Sequence, residues 1–157
     1  MLYKKVVFAG TFDRLHEGHK YLLRTAFALG DKVGIGLTVD EMLSAKADRE
    51  KILSYDERRR QLEEFLIEFA APERFDIFPI DTKEGGADKM EDIEALIVSD
   101  ELSVVETAFE INALRAKNGL KRFHIIVIPR VRTADSRPLS SSRIREGDSF
   151  EDSNLVY

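Results

Sequence analysis

The sequence predicts a doubly wound α/β domain on a five-stranded parallel sheet, and two observations predict it. Short β-branched apolar runs alternate with segments of helical period, the pattern of successive βα units. At 157 residues with 43% hydrophobic content, the chain suits one domain with a real core better than two. No internal repeat or low-complexity segment breaks the alternation.

Lys4 to Ala9 reads as the first strand and Gly10 to His16 as the loop after it. A helix follows from Gly18 to Leu29, with Leu22, Leu23, Ala26 and Phe27 on one stripe, and Gly30-Asp31 ends it. Lys32 to Val39 is the second strand. Ser54-Tyr55-Asp56-Glu57 opens the next helix as a capping box, and Leu62, Phe65, Leu66 and Phe69 recur at helical spacing. Phe75 to Phe78 is a third strand closed by Pro79, and Gly85-Gly86 marks a flexible connection. Ala95 to Val98 is the fourth strand, then a helix runs from about Val104 to Lys117 and stops at Asn118-Gly119. His124 to Ile128 is the fifth strand, and a short helix begins around Ser140 to Ser142. The domain spans residues 1–147, leaving an acidic tail, 148–157, of unassigned order. In such sheets ligands sit beyond the carboxyl ends of the strands where strand order reverses, so the loops after strands one, four and five carry the chemical interest.

Composition narrows the function. The net charge of −5 argues against broad nucleic-acid binding, and no aromatic residue is interleaved with the one basic cluster. That cluster, Arg130 to Arg145, holds five arginines against the single Asp135, which suits a small polyanion or a solvated basic loop. The N-terminus lacks the pattern of a signal peptide and no apolar run approaches the roughly 20 residues of a membrane span, so a soluble cytoplasmic chain with no membrane partner is expected. With no cysteine there are no disulfides or thiolate metal sites, in keeping with a reducing compartment.

The first loop, Gly10-Thr11-Phe12-Asp13-Arg14-Leu15-His16-Glu17-Gly18-His19-Lys20, brings two histidines to one face at a helix start. Free amides and the helix dipole favour an anion there. Gly10 allows a sharp turn, and Gly18 leaves room for a phosphate to approach. The spacing is one residue short of His-Glu-x-x-His and no third ligand cluster appears, so no metal site is assigned to protein side chains.

Gly-Thr-Phe-Asp followed by His-x-Gly-His resembles the nucleotidyltransferase superfamily with HxGH-type motifs, whose fold is Rossmann-like. Its second signature resembles Ile-Ser-Ser-Thr-x-Ile-Arg, and this chain has Leu139-Ser140-Ser141-Ser142-Arg143-Ile144-Arg145. Phe12 to Lys20, Tyr55-Asp56-Glu57-Arg58, Glu63-Glu64-Phe65-Leu66, Val98-Ser99-Asp100-Glu101 and Ile111-Asn112-Ala113-Leu114-Arg115 look like the archaeal and eukaryotic type of phosphopantetheine adenylyltransferase. The bacterial branch has an Arg-Gly pair after its fourth strand. This chain has none, so substrate contacts near Ser99 are not carried over.

The resemblance implies in-line attack by the phosphate of 4′-phosphopantetheine on the α-phosphate of ATP, giving dephospho-CoA and pyrophosphate, with Mg²⁺ bridging the ATP phosphates. On the matching positions, Thr11 holds the attacking phosphate, His19 donates to the α-phosphate and His16 contacts the ATP phosphates. Gly10 and Gly18 line the ATP site, with Ser140, Ser141, Ser142 and Arg145 on the β- and γ-phosphates. A lysine after strand two, Lys51 or Lys46, meets the attacking phosphate, with Lys51 preferred. Lys20 either neutralises phosphate or is merely solvated. Asn112 orients a ligand or satisfies a backbone group. Arg130, Arg132 and Arg137 form a lid over triphosphate or a charged surface loop. The rival functions are an alcohol-phosphate cytidylyltransferase, a nicotinamide-mononucleotide adenylyltransferase, or a non-catalytic ATP-binding module. No pattern in the sequence specifies an oligomeric state.

Overall fold

Residues 1–44, 49–145 and 155–157 are described by the computed structural model, the side chains of Ser142 and Arg145 excepted. Strand β1 (Tyr3–Gly10) lies at the centre of the sheet, and helix α1 (Glu17–Leu29) returns the chain to β2 (Gly30–Thr38) beside it. Helix α2 (Tyr55–Leu66) leads to the edge strand β3 (Phe75–Ile80). The chain then crosses to β4 (Ala95–Ser99) on the other side of β1, and α3 (Leu102–Lys117) leads to β5 (His124–Ile128). All pairings are parallel in the order β3-β2-β1-β4-β5. The order reverses between β1 and β4, so a crevice opens at their carboxyl ends.

Two hydrophobic clusters follow from the alternation of side chains across the sheet. Val6, Phe8, Val33, Ile35, Ala95 and Ile97 face α1 and α2, where Leu23, Phe27, Leu62 and Leu66 cover them. Val7, Leu96 and Val98 face the other way, against Ala108 and Ile111 of α3. Burying each of these leucines and isoleucines contributes about 1.5–3 kcal/mol.

Several details depart from the pattern read in the sequence. Pro79 does not close its strand; β3 runs on to Ile80, because an edge strand tolerates the missing N–H. Helix α1 passes into β2 at Gly30 itself, whose backbone is extended, so no separate turn at Gly30-Asp31 is needed. Ser54 caps α2 by accepting from the Glu57 N–H, but Glu57 does not reach back; its carboxylate takes Arg60 instead. Between β3 and β4 there is no helix. Gly85 and Gly86 there adopt left-handed backbone (φ 60° and 82°), and the segment is tied by Arg115, whose guanidinium donates to the carbonyls of Ala87 (2.8 Å) and Met90 (2.6 Å). Beyond β5, β6 (Arg132–Thr133) pairs antiparallel with β7 (Leu155–Val156), and the short α4 (Ser141–Arg145) lies between them in sequence.

Asn112 is buried on α3 and satisfies a backbone group. Its side-chain nitrogen donates to the Phe123 carbonyl and its oxygen accepts the Phe123 N–H, both at 3.0 Å. Replacing Asn112 by Ala strands both groups, and should lower unfolding free energy by about 2–3 kcal/mol in urea titration. A change under 0.5 kcal/mol, on the order of a surface substitution, would show that water replaces the amide there.

Candidate active site

The loop leaving β1 turns by placing two non-glycine residues in the left-handed region, Phe12 (φ 51°) and Arg14 (φ 53°). The turn read at Gly10 is therefore made further on, and Gly10 is the last residue of β1. Such backbone costs on the order of 1–3 kcal/mol per residue and persists only where surroundings enforce it. Phe12 is buried against Phe8 and the His19 ring (centroids 5.6 and 5.2 Å). Asp13 is buried and its carboxylate accepts the Leu53 N–H at 3.0 Å. Arg14 donates to the Lys51 carbonyl at 2.8 Å, and Arg58 donates to the Thr11 carbonyl at 2.9 Å.

The histidine pair forms the start of α1 itself. His16 is the N-cap, and its Nδ1 accepts from the N–H groups of Gly18 (3.0 Å) and His19 (3.4 Å). His19 Nδ1 accepts from the His16 N–H at 3.4 Å, which closes a reciprocal capping box. The two rings stack at 3.8 Å with 18° between planes. A Cβ on Gly18 would stand 2.8 Å from the His16 ring, so the missing side chain makes room for the histidine cap, where a phosphate had been expected to need it. With Nδ1 accepting in both rings, the neutral tautomer carries its proton on Nε2. Burial, aided by the charge of Lys20, lowers the His16 pKa from 6.5 to about 4. Near neutral pH His16 is thus an uncharged donor, fixed in tautomer by its capping role.

The serine-rich stretch near the C-terminus meets this loop directly: the Ser141 hydroxyl donates to the Asp13 carbonyl, across 128 residues of sequence. Ser140 accepts the Arg143 N–H at 3.3 Å and so caps the turn that carries it. Thr11, His16, Gly18, His19, Ser140 and Ser141 all line one cleft of about 470 Å³ at the carboxyl end of the sheet. Thr11 and His19 also border a second cavity of about 550 Å³ on the α3 face, walled by apolar groups such as Phe78, Ile80, Met90 and Ile111. The Thr11 hydroxyl accepts from Thr38 at 3.2 Å, at the join of the two spaces.

Other residues singled out by sequence lie elsewhere. Lys51 is exposed and outside the linings of both cavities, though its backbone is tied to the loop through Arg14. Lys46, and the side chains of Ser142 and Arg145, fall outside the described residues. Lys20 stands 3.9 Å from Glu17 and over the Phe65 ring. Arg130 lines the first cleft and is held by Asp100 at 2.7 Å; Arg132 reaches the same carboxylate at 3.8 Å, and Arg137 pairs with Asp135 at 2.6 Å. Burial is the largest single influence on the Asp100 carboxyl and raises its pKa, but the side-chain and backbone hydrogen bonds from Arg130 and the charges of Arg130 and Arg132 together turn the net shift downward. No cluster of three metal-binding side chains exists among the described residues.

Sequence reasoning gave no role to Asp13, Arg14, Asp40 or Arg58. Arg58 left a signal: it lies on the helical stripe of Leu62 and Leu66, where a charged residue is out of place unless buried with partners.

Residues 7–147 match the family described as cytidylyltransferase-like. The phosphopantetheine adenylyltransferase of Thermococcus kodakarensis is 45% identical over 145 residues, 92% of this chain and 86% of that protein. That of Pyrococcus abyssi is 44% identical over 147 residues, covering 94% and 92% respectively. Among solved structures, a protein of unknown function from Archaeoglobus fulgidus superposes with TM-score 0.68 at 30% identity, over 79% of this chain and 88% of that one.

The lowered His16 value sets a pH dependence. The unfolded chain binds a proton near pH 6.5 that the folded chain refuses until about pH 4, so His16's contribution to stability is full above 6.5 and lost as pH falls to 4. The His16 ring resonance should titrate near pH 4. The stability of a His16→Asn variant should decline less over that interval than that of the unaltered chain; parallel curves would contradict the assignment.

Proposed function

We infer the reaction on this premise: the chain belongs to the cytidylyltransferase-like family, among its phosphopantetheine adenylyltransferases, and it transfers the adenylyl group of ATP to 4′-phosphopantetheine. The products are dephospho-CoA and pyrophosphate. The observation that carries this reading is the bond from Ser141 to Asp13, which joins two distant stretches around one cleft.

The polar cleft suits the triphosphate of ATP, and the adjoining apolar cavity suits the pantetheine arm. Thr11 and His19 border both, so the reacting phosphates are assigned to their junction. There an oxygen of the 4′-phosphopantetheine phosphate bonds to the α-phosphorus as the bond to the pyrophosphate oxygen breaks. A phosphate nucleophile is already ionised near neutrality, so the protein's work is positioning and charge stabilisation. Thr11 is assigned the hydrogen bond to the attacking phosphate. His19 is assigned the donor to the α-phosphate, and His16 a contact to the ATP phosphates through Nε2–H. Gly18 is assigned to the nucleotide from the polar cleft and Gly10 from the adjoining cavity that it lines, and Ser140, Ser141, Ser142 and Arg145 are assigned the outer phosphates. Lys51 is preferred over Lys46 for the attacking phosphate, because Arg14 ties its backbone to the loop.

Mg²⁺ is proposed to accompany the ATP phosphates and neutralise their charge. Asp13 and Glu101 are the carboxylates among the cleft's described lining; Asp13 is engaged with Leu53, so Glu101 would be the carboxylate placed to hold water around the ion. No helix among the described residues is long and apolar enough to cross a membrane. A cytoplasmic site is proposed, consistent with a chain that has no cysteine.

Pyrophosphate should be released from ATP only when 4′-phosphopantetheine is supplied. Release with CTP and glycerol phosphate, or with nicotinamide mononucleotide, would transfer the assignment to a relative, and ATP binding without release would make the chain a binding module. In a His19→Ala variant turnover should fall by roughly 10²–10³, a loss typical of removing one transition-state donor. Unchanged turnover would take that role from His19.

A further inference from the structure

We propose that Arg58 is a positioning residue for adenylyl transfer, setting the register between Thr11 and the Lys51–Leu53 segment. The inference rests on the reading that Thr11 and Lys51 meet the attacking phosphate. Arg58 is wholly buried, 0% exposed, on the inner stripe of α2 beside Leu62 and Leu66. A leucine or methionine there would fill the core without the penalty of desolvating a charge, so packing alone does not call for arginine.

The geometry supplies the reason. Its Nε donates to the Leu53 carbonyl, one terminal nitrogen to the Thr11 carbonyl and the other to the Asp40 carboxylate, each at 2.9 Å. The rigid planar fork thereby fixes the separation of two backbone segments that share no sheet pairing. One carries Thr11, whose hydroxyl is further held by Thr38. The other carries Lys51, whose carbonyl is held by Arg14, and Leu53, whose N–H is held by Asp13. Asp40 neutralises the fork from the loop after β2, where Arg49 in turn donates to the Asp40 carbonyl at 3.0 Å. Arg58 itself lines neither cavity, so it acts through Thr11 and the Lys51 segment.

The test is Arg58→Lys, which keeps the charge but cannot satisfy two carbonyls and a carboxylate in one plane. Turnover should fall about tenfold or more and the KM for 4′-phosphopantetheine should rise, because a misplacement on the order of 1 Å is costly to an in-line reaction. The dissociation constant for ATP, measured by calorimetry without the second substrate, should stay within about twofold, an affinity change too small to account for that fall. Amide hydrogen exchange should quicken in residues 11–16 and 51–54 and remain unchanged across the strands.

Turnover within about threefold of the unaltered enzyme overturns the proposal, that change being under 1 kcal/mol of transition-state stabilisation. So does a loss matched by weakened ATP binding and faster exchange throughout the chain, the signature of a purely structural arginine. If Arg58→Lys does not fold, Asp40→Asn decides. That variant keeps both carbonyl bonds but removes the charge that aims the fork, and turnover should fall about threefold or more at unchanged ATP affinity; unaltered turnover overturns the idea. An unaltered enzyme that releases no pyrophosphate would strike the functional reading, while the exchange pattern would still decide the register.

Discussion

Two carbonyl groups of the Thr11–Arg14 loop, those of Thr11 and Asp13, are satisfied by side chains that come from distant parts of the chain. Arg58 takes the Thr11 carbonyl and Ser141 takes that of Asp13, while the Asp13 carboxylate reaches out to Leu53. A buried carbonyl without a donor costs about as much as a lost hydrogen bond. Two left-handed residues in four add their own cost, so the loop holds its shape only because three separate parts of the chain converge on it. Only Ser141 among these partners also lines the cleft; Arg58 and Leu53 hold the loop from behind it.

Charge at the start of α1 is arranged to leave His16 neutral and donating. His16 is kept uncharged by burial, and its Nδ1 is committed to the first amides of α1, so the ring's proton sits on Nε2. Placing an imidazole as the helix cap does two jobs at once. It satisfies amides that would otherwise bind an anion, and it hands their donor capacity to Nε2. The arginines above are restrained by carboxylates, Arg130 and Arg132 by Asp100 and Arg137 by Asp135, so the basic cluster read from the sequence is partly neutralised in the fold.

The irregular passage between β3 and β4 gives the site its second half. A helix there would cover the α3 face of the sheet; the Gly85-Gly86 turn and the Arg115 clamp leave a cavity instead. Arg58 and Arg115 are therefore parallel devices. Each is a buried arginine on the inner side of a helix, spending its donors on the carbonyls of a segment beside a cavity.

Periodicity along the chain was enough to identify all five parallel strands and α1 to α3, because each buries a face whose spacing is a local property of the sequence. At the cleft, the histidines and Gly18 stood out at the helix start after β1, whereas Ser140 and Ser141 were singled out by the resemblance of their stretch to a known signature. What the pattern could not decide was partnership across distance. Pro79 reads as a terminator until the strand is known to lie at the edge of the sheet, and the contact that bars a side chain at Gly18 is seen only once His16 is placed beside it. Arg58 stands on an apolar stripe, but its partners Thr11, Leu53 and Asp40 are known only from the fold. The hydrogen bond from Ser141 to the Asp13 carbonyl spans 128 residues, and no local rule carries that far, because such a bond depends on where the whole sheet brings its loops.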